Sequence, residues 1–145
     1  MPDTPETILA FDFGLRRIGI AVGQSVTASA SPLGVVANSE NGPDFDAISK
    51  IVSEWRPSRL IVGLPMHADG TPGEMQAHVE EFVRELQRYQ LKIDTVDERY
   101  TSREAEAVLK KARASGSRGR ISKEMIDSAA AVFIAERFLT GRTNV

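Results

Sequence analysis

The chain carries an apolar run, Ile8-Leu9-Ala10-Phe11, broken by Asp12, and then a second, Ile18-Gly19-Ile20-Ala21-Val22, with only Gly14-Leu15-Arg16-Arg17 as the connection. Runs of strand length joined so tightly predict an antiparallel pair, Thr7 to Phe13 against Ile18 to Val22. A third strand is expected over Ala30 to Val36, where Pro32 and Gly34 predict an edge position or a bulge. From Gly42-Pro43 the period changes to that of a helix, with Phe45, Ile48, Ile51, Val52 and Trp55 on one face and Pro57 as the stop.

Leu60-Ile61-Val62-Gly63-Leu64 is apolar without interruption, the pattern of a central parallel strand covered on both faces. Thr71-Pro72-Gly73-Glu74 supplies an N-cap, a first-turn proline and a capping-box acid ahead of Met75, Val79, Phe82, Val83 and Leu86 on one face of a second helix. Leu91, Ile93 and Thr95 lead to Val96 in a final strand. Thr101-Ser102-Arg103-Glu104 repeats the capping box and opens a third helix ending near Ala114. Ser122 then caps a last helix that carries Met125, Ala129, Phe133 and Ile134 toward the core. This order predicts an α/β fold: a mixed five-stranded sheet, its first three strands antiparallel and the rest parallel, flanked by helices.

Composition narrows the picture. A length of 145 residues suits a single domain over 1–145, and 41% hydrophobic with 26% charged residues suits a chain that folds on its own. Cysteine is absent, which excludes disulfides and thiolate zinc sites and fits a reducing compartment. No basic stretch precedes a long apolar run, and Asp12 interrupts the first one, so a cytoplasmic protein with no membrane contact is expected. A net charge of -2 means that any attraction for nucleic acid must be local. Lys110, Lys111, Arg113, Arg118, Arg120 and Lys123 provide it, with no acid from Lys110 to Lys123.

Three acids then stand out. Asp12 ends the first apolar run, Glu98 ends the final strand in Val96-Asp97-Glu98-Arg99, and Asp127 lies a turn and a half into the last helix, with Ala130 and Ala131 following on its face. An acid at the end of an apolar run is costly to desolvate unless a cation meets it, so three of them from separate segments point to a metal site and to divalent-metal hydrolysis of a phosphodiester. Each also has an ordinary reading: turn amides for Asp12, Arg99 or Arg103 for Glu98, the helix dipole for Asp127. Arg17, in the first turn, can offer a bidentate guanidinium to phosphate; Arg118, Arg120 and Lys123 are further candidate phosphate contacts, although a solvated loop is the alternative for that stretch. Gly63-Leu64-Pro65 with Asp69-Gly70 forms a loop suited to substrate contact. His67 within it is a candidate for phosphate contact or proton transfer, while His78 reads as solvated.

Taken together, Asp12-Phe13-Gly14 with Arg17-Ile18-Gly19-Ile20-Ala21, Gly63-Leu64-Pro65 with Asp69-Gly70-Thr71, Asp97-Glu98-Arg99 with Thr101-Ser102, and Ile126-Asp127-Ser128-Ala129-Ala130 resemble the YqgF family, also described as RuvX. The resemblance spans almost the whole chain. It implies an RNase H-like fold, a bacterial cytoplasmic location, and a nuclease that matures the 5′ end of 16S ribosomal RNA, with ribosomal particles as partners. It further implies that Asp12, Glu98 and Asp127 coordinate one or two Mg²⁺ or Mn²⁺ ions. Resolution of branched DNA, with the same acids, is the rival within hydrolases; a non-catalytic RNA-binding or transcription-associated module is the rival outside them. Asp-x-Gly before a hairpin also resembles the phosphate loop of actin-like ATPases, but those need two such domains and 145 residues supply one. Two departures are visible: Gln24 stands where many relatives have Asp, and Met66-His67-Ala68 replaces the commoner Leu-Asn-Met.

Overall fold

Along the first strand, β1 (Thr7–Asp12), successive side chains go to opposite faces of a sheet, and both faces are covered. The computed structural model describes residues 5–64, 75–97 and 123–143. After β1 come β2 (Arg17–Gln24), β3 (Ser29–Ser39), β4 (Gly42–Pro43), α1 (Phe45–Trp55) and β5 (Arg59–Leu64). Then follow α2 (Gln76–Leu86) with a 3-10 turn (Gln87–Tyr89), β6 (Lys92–Asp97) and α3 (Lys123–Thr143). The spatial order is β4-β3-β2-β1-β5-β6. Pairs among β1 to β4 are antiparallel, whereas β5 runs parallel to both β1 and β6.

The sheet therefore has six strands where the hydrophobic pattern predicts five. The additional one is β4, two residues long, at the place where Gly42-Pro43 reads as a helix start. Gly42 adopts φ +102° and Pro43 pairs with Asn38, so the chain turns back onto β3 before it coils. The helix begins one residue after Pro43's neighbour Asp44 takes the cap position, its carboxylate accepting the Ala47 amide at 3.1 Å. It ends at Arg56, which takes a left-handed conformation (φ 47°) ahead of Pro57. The β3 strand is longer than its apolar stretch, and its bulge falls where Pro32 and Gly34 predict one: Ile20 faces Gly34, Ala21 faces Pro32, and Leu33 between them is the extra residue. The capping boxes at Thr71–Glu74 and Thr101–Glu104, the helix between them and Ala114, the Ser122 cap, His67 and the 65–74 loop lie outside the described residues.

On one face Leu9 and Phe11 of β1, Ile18, Ile20 and Val22 of β2, and Leu60 and Val62 of β5 meet Ile48 of α1 and Val79, Phe82 and Leu86 of α2. Phe82 lies at the centre, with ring centroids of Phe13 and Phe11 at 5.1 and 5.6 Å. Truncating Phe82 to Ala would cost about 3–5 kcal/mol. On the other face α3 lies over Ile8, Ala10 and Ile61 through Ile134, Ala135 and Leu139. Helical spacing assigns Ala129 and Phe133 to that core, yet both are only half-buried, and Ala130, Ala131, Ala135 and Leu139 take their place.

The reason is the strand beneath. By alternation β2 turns Gly19, Ala21 and Gly23 toward α3, a strip with almost no side chain, and the helix answers with its smallest residues. A Cβ at Gly23 would stand 3.0 Å from Ile8 Cγ1 and 3.2 Å from Leu139 Cδ1.

Arg59, at the start of β5, holds the edge of the sheet opposite its carboxyl ends. Its guanidinium donates to Glu6 at 3.3 Å and to Asp94, and lies 5.6 Å from the centroid of the Phe138 ring on α3. Burial alone would lower its pKa, but the two carboxylates outweigh that and raise it.

Candidate active site

Asp12 is the last residue of β1 and is half-buried. It continues the row Ile8, Ala10 by alternation, so its position belongs to the face covered by α3. Its register partner on β2 is Gly19, and on β5 the residue after the Phe11–Val62 pair is Gly63. The strands on both sides of Asp12 thus present glycine at its level. The hairpin that follows is tight: a Cβ on Gly14 would come within 2.6 Å of the Arg17 carbonyl oxygen, and the Gly14 carbonyl accepts Asn38 Nδ2 at 2.7 Å.

Position 127 is the fifth residue of α3, one turn before Ala131, and its backbone is fixed in place by its neighbour Ser128. Ser128 is 5% exposed and is the one buried polar residue among those described. Its Oγ accepts the Gly34 amide at 3.2 Å and donates to the Ile20 carbonyl at 3.5 Å. Ile20 pairs with Phe11, the residue before Asp12, which puts this part of α3 one strand away from the first acid.

Glu98 lies outside the described residues, immediately after β6. Val96 of β6 packs on the α3 side, and Gly63 is its register partner. The end of β1, the end of β6 and the first turns of α3 accordingly bound one region at the carboxyl edge of the parallel strands, the usual place for a ligand in an open α/β sheet. Arg17, half-buried at the start of β2, belongs to the same face as Gly19 and stands roughly 7 Å beyond it, two strand residues away. Lys123 is the first residue of α3; Arg118 and Arg120 lie outside the described residues.

Among the described residues no three Asp, Glu or His side chains gather as a metal cluster, because of the three acids only Asp12 has a described side chain. The donor chemistry nevertheless suits a hard divalent cation: carboxylate oxygen without thiolate, with glycine on the neighbouring strands at its level. Gln24 is remote from this region. It ends β2 opposite Thr7, whose Oγ1 donates to its Oε1 at 3.0 Å, at the far end of β1 from Asp12.

Sequence reading alone misses Ser128 and Gly19. The signal for Gly19 is the run of small residues on alternate positions of β2, and for Ser128 a lone hydroxyl within an otherwise small, apolar helix face.

The other face of the sheet offers a cleft of about 580 Å³ between the β1–β2 turn, the β3–β4 turn and α2. Phe13, Leu15 and Pro43 form its apolar part; Glu40, Glu81 and Glu85 line it, with the exposed His78. Three carboxylates make this cleft a poor seat for a phosphate backbone.

A six-stranded mixed sheet in this order, with an acid at the end of its first strand and a helix crossing that strand, defines an RNase H-like fold of the kind seen in junction-resolving nucleases. Thermus thermophilus RuvC, solved with a Holliday junction, superposes with a TM-score of 0.58 over 97% of both chains at 14% identity. Fowlpox virus resolvase with its junction DNA gives 0.58 over 94% of this chain and 98% of that one at 8% identity. The chain belongs to the RuvX family, described as Holliday junction resolvase, whose pattern matches residues 6–141. A Paraburkholderia xenovorans protein named "Putative pre-16S rRNA nuclease" is 45% identical over 136 residues, 93% of this chain and 88% of its own length. The same name is carried by a Burkholderia lata protein, 46% identical over 134 residues, 92% of this chain and 88% of its own length.

Proposed function

We propose that this chain is a divalent-metal-dependent nuclease that hydrolyses phosphodiester bonds at the 5′ end of precursor 16S ribosomal RNA, acting in the cytoplasm on RNA or ribosomal particles. Family membership supports a hydrolase acting on phosphodiesters, and relatives of 45–46% identity carry the ribosomal RNA assignment in their names. The observation that carries the reading is the position of Asp12: an acid that continues a buried row on the α3 side, flanked by glycine at its own level, with position 127 tied one strand away.

Asp12, Glu98 and Asp127 would hold Mg²⁺ or Mn²⁺, which supplies Lewis acidity at the scissile phosphate when bound. Arg17 binds and orients a neighbouring phosphate from the same face, with Arg118, Arg120 and Lys123 extending that contact. The close cover of α3 on the small residues of β2 limits water on the inner side of the acids. Water is the nucleophile, the 3′ oxygen leaves, and no covalent bond to the protein forms.

The family's description favours a second reading, resolution of a four-way DNA junction by the same residues. Incubating the purified protein with precursor 16S RNA and, separately, with a four-way junction, each with Mg²⁺ or Mn²⁺, tests both. Cleavage of the RNA that Asp12→Asn abolishes supports the first; cleavage of the junction alone supports the second; metal-independent binding without cleavage of either rejects the enzyme. Among the described residues no helix is long and apolar enough to cross a membrane.

A further inference from the structure

The later turns of α3 are seated by Ile134 and Leu139 against Ile8 and Ile61, while Ser128, in its second turn, lies against β2. There Ser128 adds a polar anchor to the packing. At the β2–β3 bulge its hydroxyl stands between a facing donor and acceptor, taking the Gly34 amide at 3.2 Å and reaching the Ile20 carbonyl at 3.5 Å. Gly34 adopts φ +113°, a conformation side-chain-bearing residues rarely take, so the backbone shape that receives the hydroxyl is itself specified. The bond from Gly34, with the longer reach to Ile20, ties the helix to β3 and β2 at this residue.

We infer that Ser128 is a positioning residue of the nuclease site: by inserting its hydroxyl into the β2–β3 bulge it sets the axial register of α3, and with it the placement of Asp127 relative to Asp12. The inference rests on the metal role proposed for Asp127 and adds to it a backbone anchor at the next residue. The scale is right. One residue of slip moves a helix by about 1.5 Å, while a working site tolerates about 0.5 Å. A merely structural serine would instead lower stability and leave the metal site as it was.

The test is a Mn²⁺ titration of the protein alone, followed by the electron paramagnetic resonance of the free ion, with RNA cleavage measured in parallel. Ser128→Ala is expected to weaken Mn²⁺ binding about tenfold and to lower kcat by a similar factor while KM for RNA holds. Parent-like Mn²⁺ affinity in a folded Ser128→Ala variant, with only a lower melting temperature, overturns the inference. If the alanine variant does not fold, Ser128→Cys, which keeps the volume but bonds weakly, decides by the same criterion. Asp127→Asn separates the two levels. Unchanged Mn²⁺ affinity there removes the metal role of Asp127 and the inference with it, whereas a loss there without one in the Ser128 variants removes the positioning role alone.

Discussion

Asp12 and Gly19 face each other across the β1–β2 pair, so the nearest neighbour of the first acid within the sheet has no side chain. On the metal role proposed for Asp12, that pairing keeps a side chain away from the cation. Gly19→Val, which sets a branched side chain beside the carboxylate, is expected to lower nuclease activity about tenfold or more and to raise the Mg²⁺ needed for half-maximal rate. Steady-state cleavage at varied Mg²⁺ checks it; parent-like Mg²⁺ dependence would detach Asp12 from the metal.

Asp12→Asn is expected to lower turnover by roughly two orders of magnitude with the circular dichroism spectrum unchanged, since an amide keeps the volume but binds a hard cation poorly. Converged carboxylates repel one another without metal, so the same change should raise the melting temperature of the metal-free protein. Mg²⁺ should stabilise the parent and the variant much less. Equal Mg²⁺ shifts in a thermal scan would count against convergence of the three acids.

Arg59 should separate stability from catalysis. It sits at the other end of β5 from the proposed site, roughly 17 Å away over five residues, and meets Glu6, Asp94 and Phe138. Arg59→Met is expected to cost about 1–2 kcal/mol in urea unfolding while kcat and Mg²⁺ dependence stay at parent values. A matching loss of activity in the folded variant would place Arg59 in the catalytic machinery instead.

Glu136 of α3 has its pKa raised by burial, so its charged form is the disfavoured one in the folded protein. Below its unfolded pKa both states are protonated and nothing is lost. As pH rises from the unfolded value through the raised folded value, the folded state comes to bear a buried charge and stability falls. Glu136→Gln should therefore stabilise at neutral pH, by at most about 0.5 kcal/mol, and the difference should vanish in acid. Denaturant midpoints in acid and at neutral pH read this directly; a neutral-pH loss of stability would reverse the sign.

The basic stretch is tested by replacing Arg118, Arg120 and Lys123 with Ala. RNA binding should weaken, and its log-log salt slope should flatten by about 0.7 for each single-strand phosphate that is no longer neutralised. Mn²⁺ binding should survive, since the acids are untouched. An unchanged slope in a fluorescence titration would leave these residues as a solvated loop and move the phosphate path to Arg17.

Most of the sheet can be read from the sequence because its strands are written in two unmistakable ways: alternating or continuous apolar runs, and punctuation by Gly and Pro. The two-residue β4 cannot, since Gly42-Pro43 serves a turn into a strand as well as a helix start and only the pairing with Asn38 decides between them. The buried face of α3 escapes for a related reason. Helical spacing favours the large Phe133, but over the small residues of β1 and β2 it is Ala130, Ala131 and Ala135 that are buried, and that preference belongs to strands more than a hundred residues earlier. Of the site, Asp12 is legible as an acid breaking an apolar run. Ser128 is not, because a hydroxyl seated in a bulge has no sequence pattern of its own.

The bond between Gly34 and Ser128 spans 94 residues, and the helix that carries Ser128 also carries position 127 and the cover for Ile8, Ala10 and Ile61. Contacts of such long range form slowly, and a chain made from its N-terminus acquires this helix after every described strand is in place. Until it docks, Ile8, Ala10 and Ile61 lack the cover that Ile134, Ala135 and Leu139 give them. On the proposed role of Asp127, completion of the fold and acquisition of cutting power would be one event, and a half-made chain would hold no nuclease able to act on the RNA around it.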